Sequence, residues 1–192
     1  KVTMITVISL YILIKFIFNI KLIWGLLIAT GFSIAYVWNG GLSAIVKTDY
    51  FQLILMFTGF ILLVSYSWIE SVSPIELYRS ISYSHIDPLG GNTIQYILVW
   101  FFIAIWTVID PSFFQRCCSV DKPETAKKGL ILSIGLWFIF DILTITAGLY
   151  AFIFIVPESP MMAYPLLASE VLPSGLVGVF IVSLFAIIMS TI

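Results

Sequence analysis

Long apolar runs separated by short polar connections make up most of the 192-residue chain. The runs do not alternate as a half-buried strand would, and most are too long for a core strand, so they predict helices. A hydrocarbon core of about 30 Å takes about 20 helical residues to cross. Runs free or nearly free of Asp, Glu, Lys and Arg place six spans at about 2–20, 22–46, 49–69, 93–116, 127–156 and 171–192. The first has the length of a signal-peptide core, but no small-residue cleavage site follows and further spans come at once, so it reads as a truncated helix. Both ends, Lys1 and an apolar run closing at Ile192, read as those of a fragment of a longer membrane protein. The expectation is an all-α polytopic membrane protein, with residues 1–192 in one transmembrane domain, because a lipid-exposed sheet would have to close into a barrel.

Composition narrows the choice. The chain is 61% hydrophobic and 10% charged, whereas a soluble domain carries about a quarter charged residues. A soluble enzyme, a nucleic-acid binder and a disordered tail are excluded on that ground, and lipid is the expected surrounding. Cys117 and Cys118 are the two cysteines; neighbours bridge only with strain, so free thiols are expected.

The polar connections differ in sign. Arg116, Lys122, Lys127 and Lys128 outnumber Asp121 and Glu124 in loop 116–128. Loop 70–92 sets Arg79 against Glu70, Glu76 and Asp87, and loop 157–174 has Glu158 and Glu170 with no Lys or Arg. The positive-inside rule puts loop 116–128 in the cytoplasm and the other two outside, across a plasma membrane. Alternation then requires an inside turn at Lys47–Asp49, after Asn39-Gly40-Gly41, which can end or loosen a helix. Asp121, Pro123 and Glu124 form a capping signal for the fifth helix. His85, alone in an acidic loop, is assigned no role.

Ionisable groups within spans are the default functional candidates, because each costs about 2.5–3.5 kcal/mol at a helix centre. Asp49 is followed three residues later by Gln52, which fits an N-cap with its capping-box partner as well as a place in an ion path. Asp110 precedes Pro111, which cannot donate to the Thr107 carbonyl and should kink or break the fourth span. A carboxylate beside a freed carbonyl is one way a discontinuous helix holds an ion or substrate; pairing with Arg116 is the other reading. Asp141, with Thr144 and Thr146 beyond it, must face a bundle interior, a cavity or a hydrogen-bond partner. It serves either packing or a substrate or proton site. Ser190-Thr191 offers hydroxyl oxygens suited to Na⁺, or back-bonds to its own helix.

The run Gly40-Gly41-Leu42-Ser43-Ala44-Ile45-Val46-Lys47-Thr48-Asp49-Tyr50-Phe51-Gln52 resembles the GGL-x-A-V-x-x-TD-x-x-Q signature of the sodium:solute symporter family. Asp110 to Arg116 is similar to that family's segment ending in Gln-Arg. Leu172-Pro173-Ser174-Gly175-Leu176 through Ala186-Ile187-Ile188-Met189-Ser190-Thr191 is similar to its eighth core helix. The resemblance implies a LeuT-type bundle of two inverted five-helix repeats, of which this chain would supply core helices three to eight. It further implies that Ser190 and Thr191 give hydroxyls and Ile187 a backbone carbonyl to a Na⁺ site, with Asp49 tied to cation coupling. By the same likeness, Trp106, Thr107 and Trp137 are substrate-facing positions and Asp110 matches an acidic or polar position of some sugar-transporting members; Asp141, one turn beyond Trp137, joins the substrate or gating candidates as an intramembrane carboxylate. Trp137 stands where sugar-transporting members carry a polar or Lys group, which argues against a sugar.

The expected function is Na⁺-coupled symport of a small organic solute, with Na⁺ as coupling ion, no cofactor, no metal besides Na⁺ and no nucleic-acid partner. A solute sensor or scaffold on the same fold is the alternative. An enzyme is not expected, since the carboxylates lie on separate helices with no catalytic constellation.

Overall fold

The computed structural model describes residues 14, 21–82, 85, 87–105, 109–155 and 160–191. Among them the regular structure is helical: α1 Leu22–Glu70, α2 Pro74–Ser80, α3 Ile94–Ala104, α4 Pro111–Cys118, α5 Pro123–Phe154, α6 Ala163–Val171 and α7 Ser174–Thr191. A 3₁₀ turn, Pro160–Met162, leads into α6. Ile45–Glu70 of α1 and all of α5 are long and apolar enough to cross a membrane. The expected first span, 2–20, lies outside the described residues except for Ile14, which packs on Phe185 and Ile188 of α7.

The turn expected at Lys47–Asp49 is absent. α1 runs unbroken through Gly40, Gly41 and Asp49, so Asp49 is an interior helical residue rather than an N-cap, and the separate helices expected over 22–46 and 49–69 are one. The stretch contains no proline, neither glycine takes a positive φ, and Thr48 donates its hydroxyl to the Ile45 carbonyl at 2.8 Å.

The fourth predicted span does break. α3 starts behind Thr93, whose Oγ1 accepts from the Tyr96 N–H at 3.3 Å. It follows a turn in which Asp87 accepts from the Leu89 and Gly91 amides and Gly90 and Gly91 take positive φ. A new helix then begins at Pro111, with the Asp110 carbonyl accepting from Phe114 N–H at 3.2 Å. Proline at the first helical position loses no bond, because that N–H has no intrahelical partner. α5 begins at Pro123 as the capping signal implied, although the carbonyl receiving the first amides is that of Lys122, not of Asp121. The two expected outer loops contain α2 and α6.

The chain divides into two compact units, residues 1–73 with 143–192, and residues 74–142. In the first, α1 packs along α7, and α6 packs on both. The buried set there includes Phe60, Leu63, Ala147, Tyr150, Leu167, Ala168, Phe180 and Ala186. Tyr150 is fully buried and donates its hydroxyl to the Val72 carbonyl at 2.6 Å. Tyr150→Phe is therefore expected to lower the unfolding midpoint by an amount equivalent to about 1 kcal/mol, the usual net value of one hydrogen bond. Thermal unfolding in detergent checks this; an unchanged midpoint would show the bond to be neutral. In the second unit, Cys117 and Cys118 are exposed free thiols.

Candidate functional site

The face that α1 presents to α7 carries Gln52, Met56, Gly59, Phe60, Leu63 and Ser67, a spacing of three and four residues that keeps one side of a helix. On α7 the residues that meet it are Phe180 and Ser183. A Cβ built on Gly59 would collide with the Ser183 side chain and stand 3.5 Å from Phe180 Cδ2. The rings of Phe60 and Phe180 meet edge to face at 5.4 Å and 66°. Residue numbers rise along α1 as they fall along α7, so the pair is antiparallel, with Gly59 opposite Ser183.

Two helical turns from that contact, towards the start of α1 and the end of α7, lie the polar residues. Ser190 donates its hydroxyl to the Ile187 carbonyl at 2.9 Å, the back-bond to its own helix that the sequence offered as the alternative to a cation site. Asp49 is half-buried and lies one turn before Gln52, at the same end of the pair. Thr191 closes α7, with its side chain outside the described set. Ile187, Ser190 and the Thr191 backbone thus share the last turn of α7, while Asp49 belongs to α1.

Gln52 is the residue that sequence reasoning misplaced. With α1 continuous, it has no capping box to complete. Its Oε1 is buried and unpartnered, one of two such side-chain oxygens among the described residues, the other being Ser67 Oγ. The signal was present in the spacing TD-x-x-Q, which sets Gln52 one turn after Asp49 on the same face.

The other candidates belong to the second unit. Asp110 is half-buried and directly precedes α4. Trp137 of α5 meets Phe113 of α4 edge to face at 6.2 Å and 84°. Both rings line a cleft of about 480 Å³ with Arg116, Thr125 and Ser133. Asp141, expected to face an interior, is exposed. It lies on a part of α5 whose Ile134, Trp137, Phe138 and Ile139 are exposed as well. Trp106 and Thr107 lie outside the described residues.

The family model described as sodium:solute symporter family matches residues 2–192. The chain is 28% identical to sodium-coupled monocarboxylate transporter 2 of Homo sapiens, over 88% of this chain and 31% of that protein. It is 25% identical to sodium/proline symporter 2 of Staphylococcus saprophyticus, over 91% of this chain and 36% of that protein. The chain thus spans about a third of the length of these curated relatives. No solved structure matches. With a family model aligned to nearly every residue, the chain belongs to the sodium:solute symporter family.

Proposed function

We propose that this chain forms part of a secondary active transporter of the plasma membrane that couples Na⁺ entry to uptake of a small organic solute. The observation that carries the reading is the pair of oxygens, Ser190 Oγ and Ile187 O, held 2.9 Å apart on the α7 face opposite the Asp49 end of α1. Hydroxyl and carbonyl oxygens are hard donors and suit Na⁺ better than any softer or larger ion. Thr191 and Asp49 complete the set in this proposal, the carboxylate offsetting the ion's charge. Occupancy would favour one of two bundle arrangements, and rocking between them would move ion and solute together.

The solute class follows from the relatives. The two relatives are named for a monocarboxylate and for proline, and both kinds of molecule carry a carboxylate. A small carboxylate-bearing solute is therefore the proposed cargo, which agrees with a tryptophan at position 137. Trp106, Thr107, Asp110, Trp137 and Asp141 remain the proposed substrate and gating residues, within a LeuT-type bundle in which this chain supplies core helices three to eight. The basic loop 116–128 is assigned to the cytoplasm and loops 70–92 and 157–174 to the outside. At 49 residues α1 is about 74 Å long, more than twice a hydrocarbon core of about 30 Å. In a bilayer its two apolar halves must fold apart, and Gly40-Gly41 is the proposed site of that bend.

The test is Ser190→Ala combined with Thr191→Ala in the complete reading frame, with uptake of labelled proline and of a labelled monocarboxylate measured against Na⁺ concentration. Na⁺ stimulation is expected to fall by about tenfold or more, since losing two ligating oxygens removes more than one charge-assisted contact. Unaltered Na⁺ dependence would remove the site assignment.

A further inference from the structure

We propose that the cleft between α4 and α5 holds an anionic phospholipid, with its headgroup against Arg116 and the basic loop and its acyl chain along the apolar wall that ends at Trp137. The proposal goes beyond transport and rests on one part of the reading above, the assignment of loop 116–128 to the cytoplasm.

A helical hairpin builds the cleft. α4 ends at Cys118, the chain turns through residues 119–122, and α5 starts at Pro123. Phe113 of α4 meets Trp137 of α5 edge to face at 6.2 Å. At the other end Val120 and Thr125 line the same cleft of about 480 Å³. Twelve residues of α5 separate Thr125 from Trp137, a rise of about 18 Å. That is close to one leaflet, half of a hydrocarbon core of about 30 Å. The cleft therefore runs from headgroup level to about the depth at which an acyl chain ends.

Its two ends differ in chemistry. Arg116 and Thr125, both exposed, line the loop end and offer a guanidinium and a hydroxyl to a phosphate. Loop 116–128 adds Lys122, Lys127 and Lys128, all exposed. Its four cations against the two carboxylates, Asp121 and Glu124, leave a net charge of +2. Towards Trp137 the wall is Leu130 and the two rings, and Ser133 turns its hydroxyl back to the Gly129 carbonyl at 2.9 Å. Gly129 also lines the cleft, and a Cβ built there meets nothing within 4 Å, so the wall stays open beside Leu130. A surface that is cationic at one end and apolar over the length of a leaflet complements an anionic amphiphile. A small carboxylate-bearing solute held at Arg116 would leave the apolar length uncovered. A zwitterionic lipid would bring an ammonium to a cationic loop.

The two cysteines supply the test, because both are exposed free thiols and Cys117 lines the cleft. The complete protein is reconstituted in vesicles of phosphatidylcholine alone, or with about one-fifth phosphatidylglycerol. Uptake of a neutral maleimide is followed by peptide mass, with Cys118→Ser reporting Cys117 and Cys117→Ser reporting Cys118. Phosphatidylglycerol is expected to slow Cys117 about tenfold relative to Cys118, since surface potential acts on both neighbours alike and an occupant of the cleft separates them. Arg116→Gln, and separately Gly129→Leu, which fills the cleft without touching a charge, are each expected to abolish that lipid effect. Should Arg116→Gln fail to fold, Gly129→Leu decides alone, because leucine is a better helix former than glycine. A Cys117 to Cys118 ratio that ignores phosphatidylglycerol, or a lipid effect retained in both variants, overturns the proposal. Protection of Cys117 by proline or a monocarboxylate in phosphatidylcholine alone would give the cleft to the solute and overturn it as well. Sidedness is read separately with an impermeant maleimide on intact cells. Labelling of Cys118 from outside would overturn the cytoplasmic assignment, while the ratio in vesicles would still decide whether lipid fills the cleft.

Discussion

Gly59→Val is expected to part α1 from α7 and to abolish Na⁺-dependent uptake by the complete protein. At Gly59 a Cβ would meet both Cβ and Oγ of Ser183. Ser183 is fully buried, and its hydroxyl is held by the Phe180 carbonyl at 2.7 Å, so turning the side chain away would strand that hydroxyl. Relief must come from the helix axes moving apart. Overpacking of this kind costs about 1–3 kcal/mol, and valine adds two further methyls to the clash. Close approach at small residues is what holds membrane helices together where lipid removes the usual hydrophobic drive. Thermal unfolding of the purified variant should show the loss directly. Gly59→Ala is expected to be milder, and Ser183→Gly is expected to rescue it in part, since the second change removes the obstacle the first one meets. A Gly59→Val protein with unaltered unfolding and uptake would mean that the 59–183 contact does not set the approach of the two helices.

That dependence marks how far the sequence alone could reach. The Asp110-Pro111 break and the start of α5 at Pro123 were legible because proline acts through its own ring and missing N–H. The ligand candidates on α7 were legible through the resemblance of their Ser-Thr motif. The continuity of α1 was not, because Gly40-Gly41 and the Lys47–Asp49 cluster are compatible with a turn as well as with a helix. Helices α2 and α6 were missed because their short stretches look like polar connections, and their stability comes from neighbours rather than from propensity. Gln52 was read as half of a capping box. Its significance appears only when the partner helix is in place, since an acceptor counts as orphaned only by reference to everything around it.

Phe60→Ala is expected to be the most destabilising single truncation of the first unit. Phe60 is 1% exposed, with its ring edge to face against Tyr164 at 5.2 Å and 80° and against Phe180 at 5.4 Å and 66°. It therefore ties α1 to α6 and α7 at one point. Truncating a buried phenylalanine costs about 3–5 kcal/mol, and each aromatic pair adds about 0.5–1.5 kcal/mol beyond buried area. Phe60→Leu, which keeps most of the volume, is expected to lose only the ring contacts, giving a midpoint between those of the wild type and the alanine variant. Tyr164 gives a second readout. Burial pushes its phenol above the ordinary 10.0, and its hydroxyl donates to the Thr144 carbonyl at 3.2 Å. The folded state holds that proton more tightly than the unfolded chain, so the Tyr164 contribution is complete below pH 10 and is lost as pH rises through the raised value. Uncovering Tyr164 by Phe60→Ala should bring its titration back towards the ordinary value and shrink that alkaline loss, whereas Phe60→Leu should largely preserve it. If the alanine and leucine variants unfold at one midpoint with one alkaline profile, filled volume and not ring geometry holds α6 to the pair.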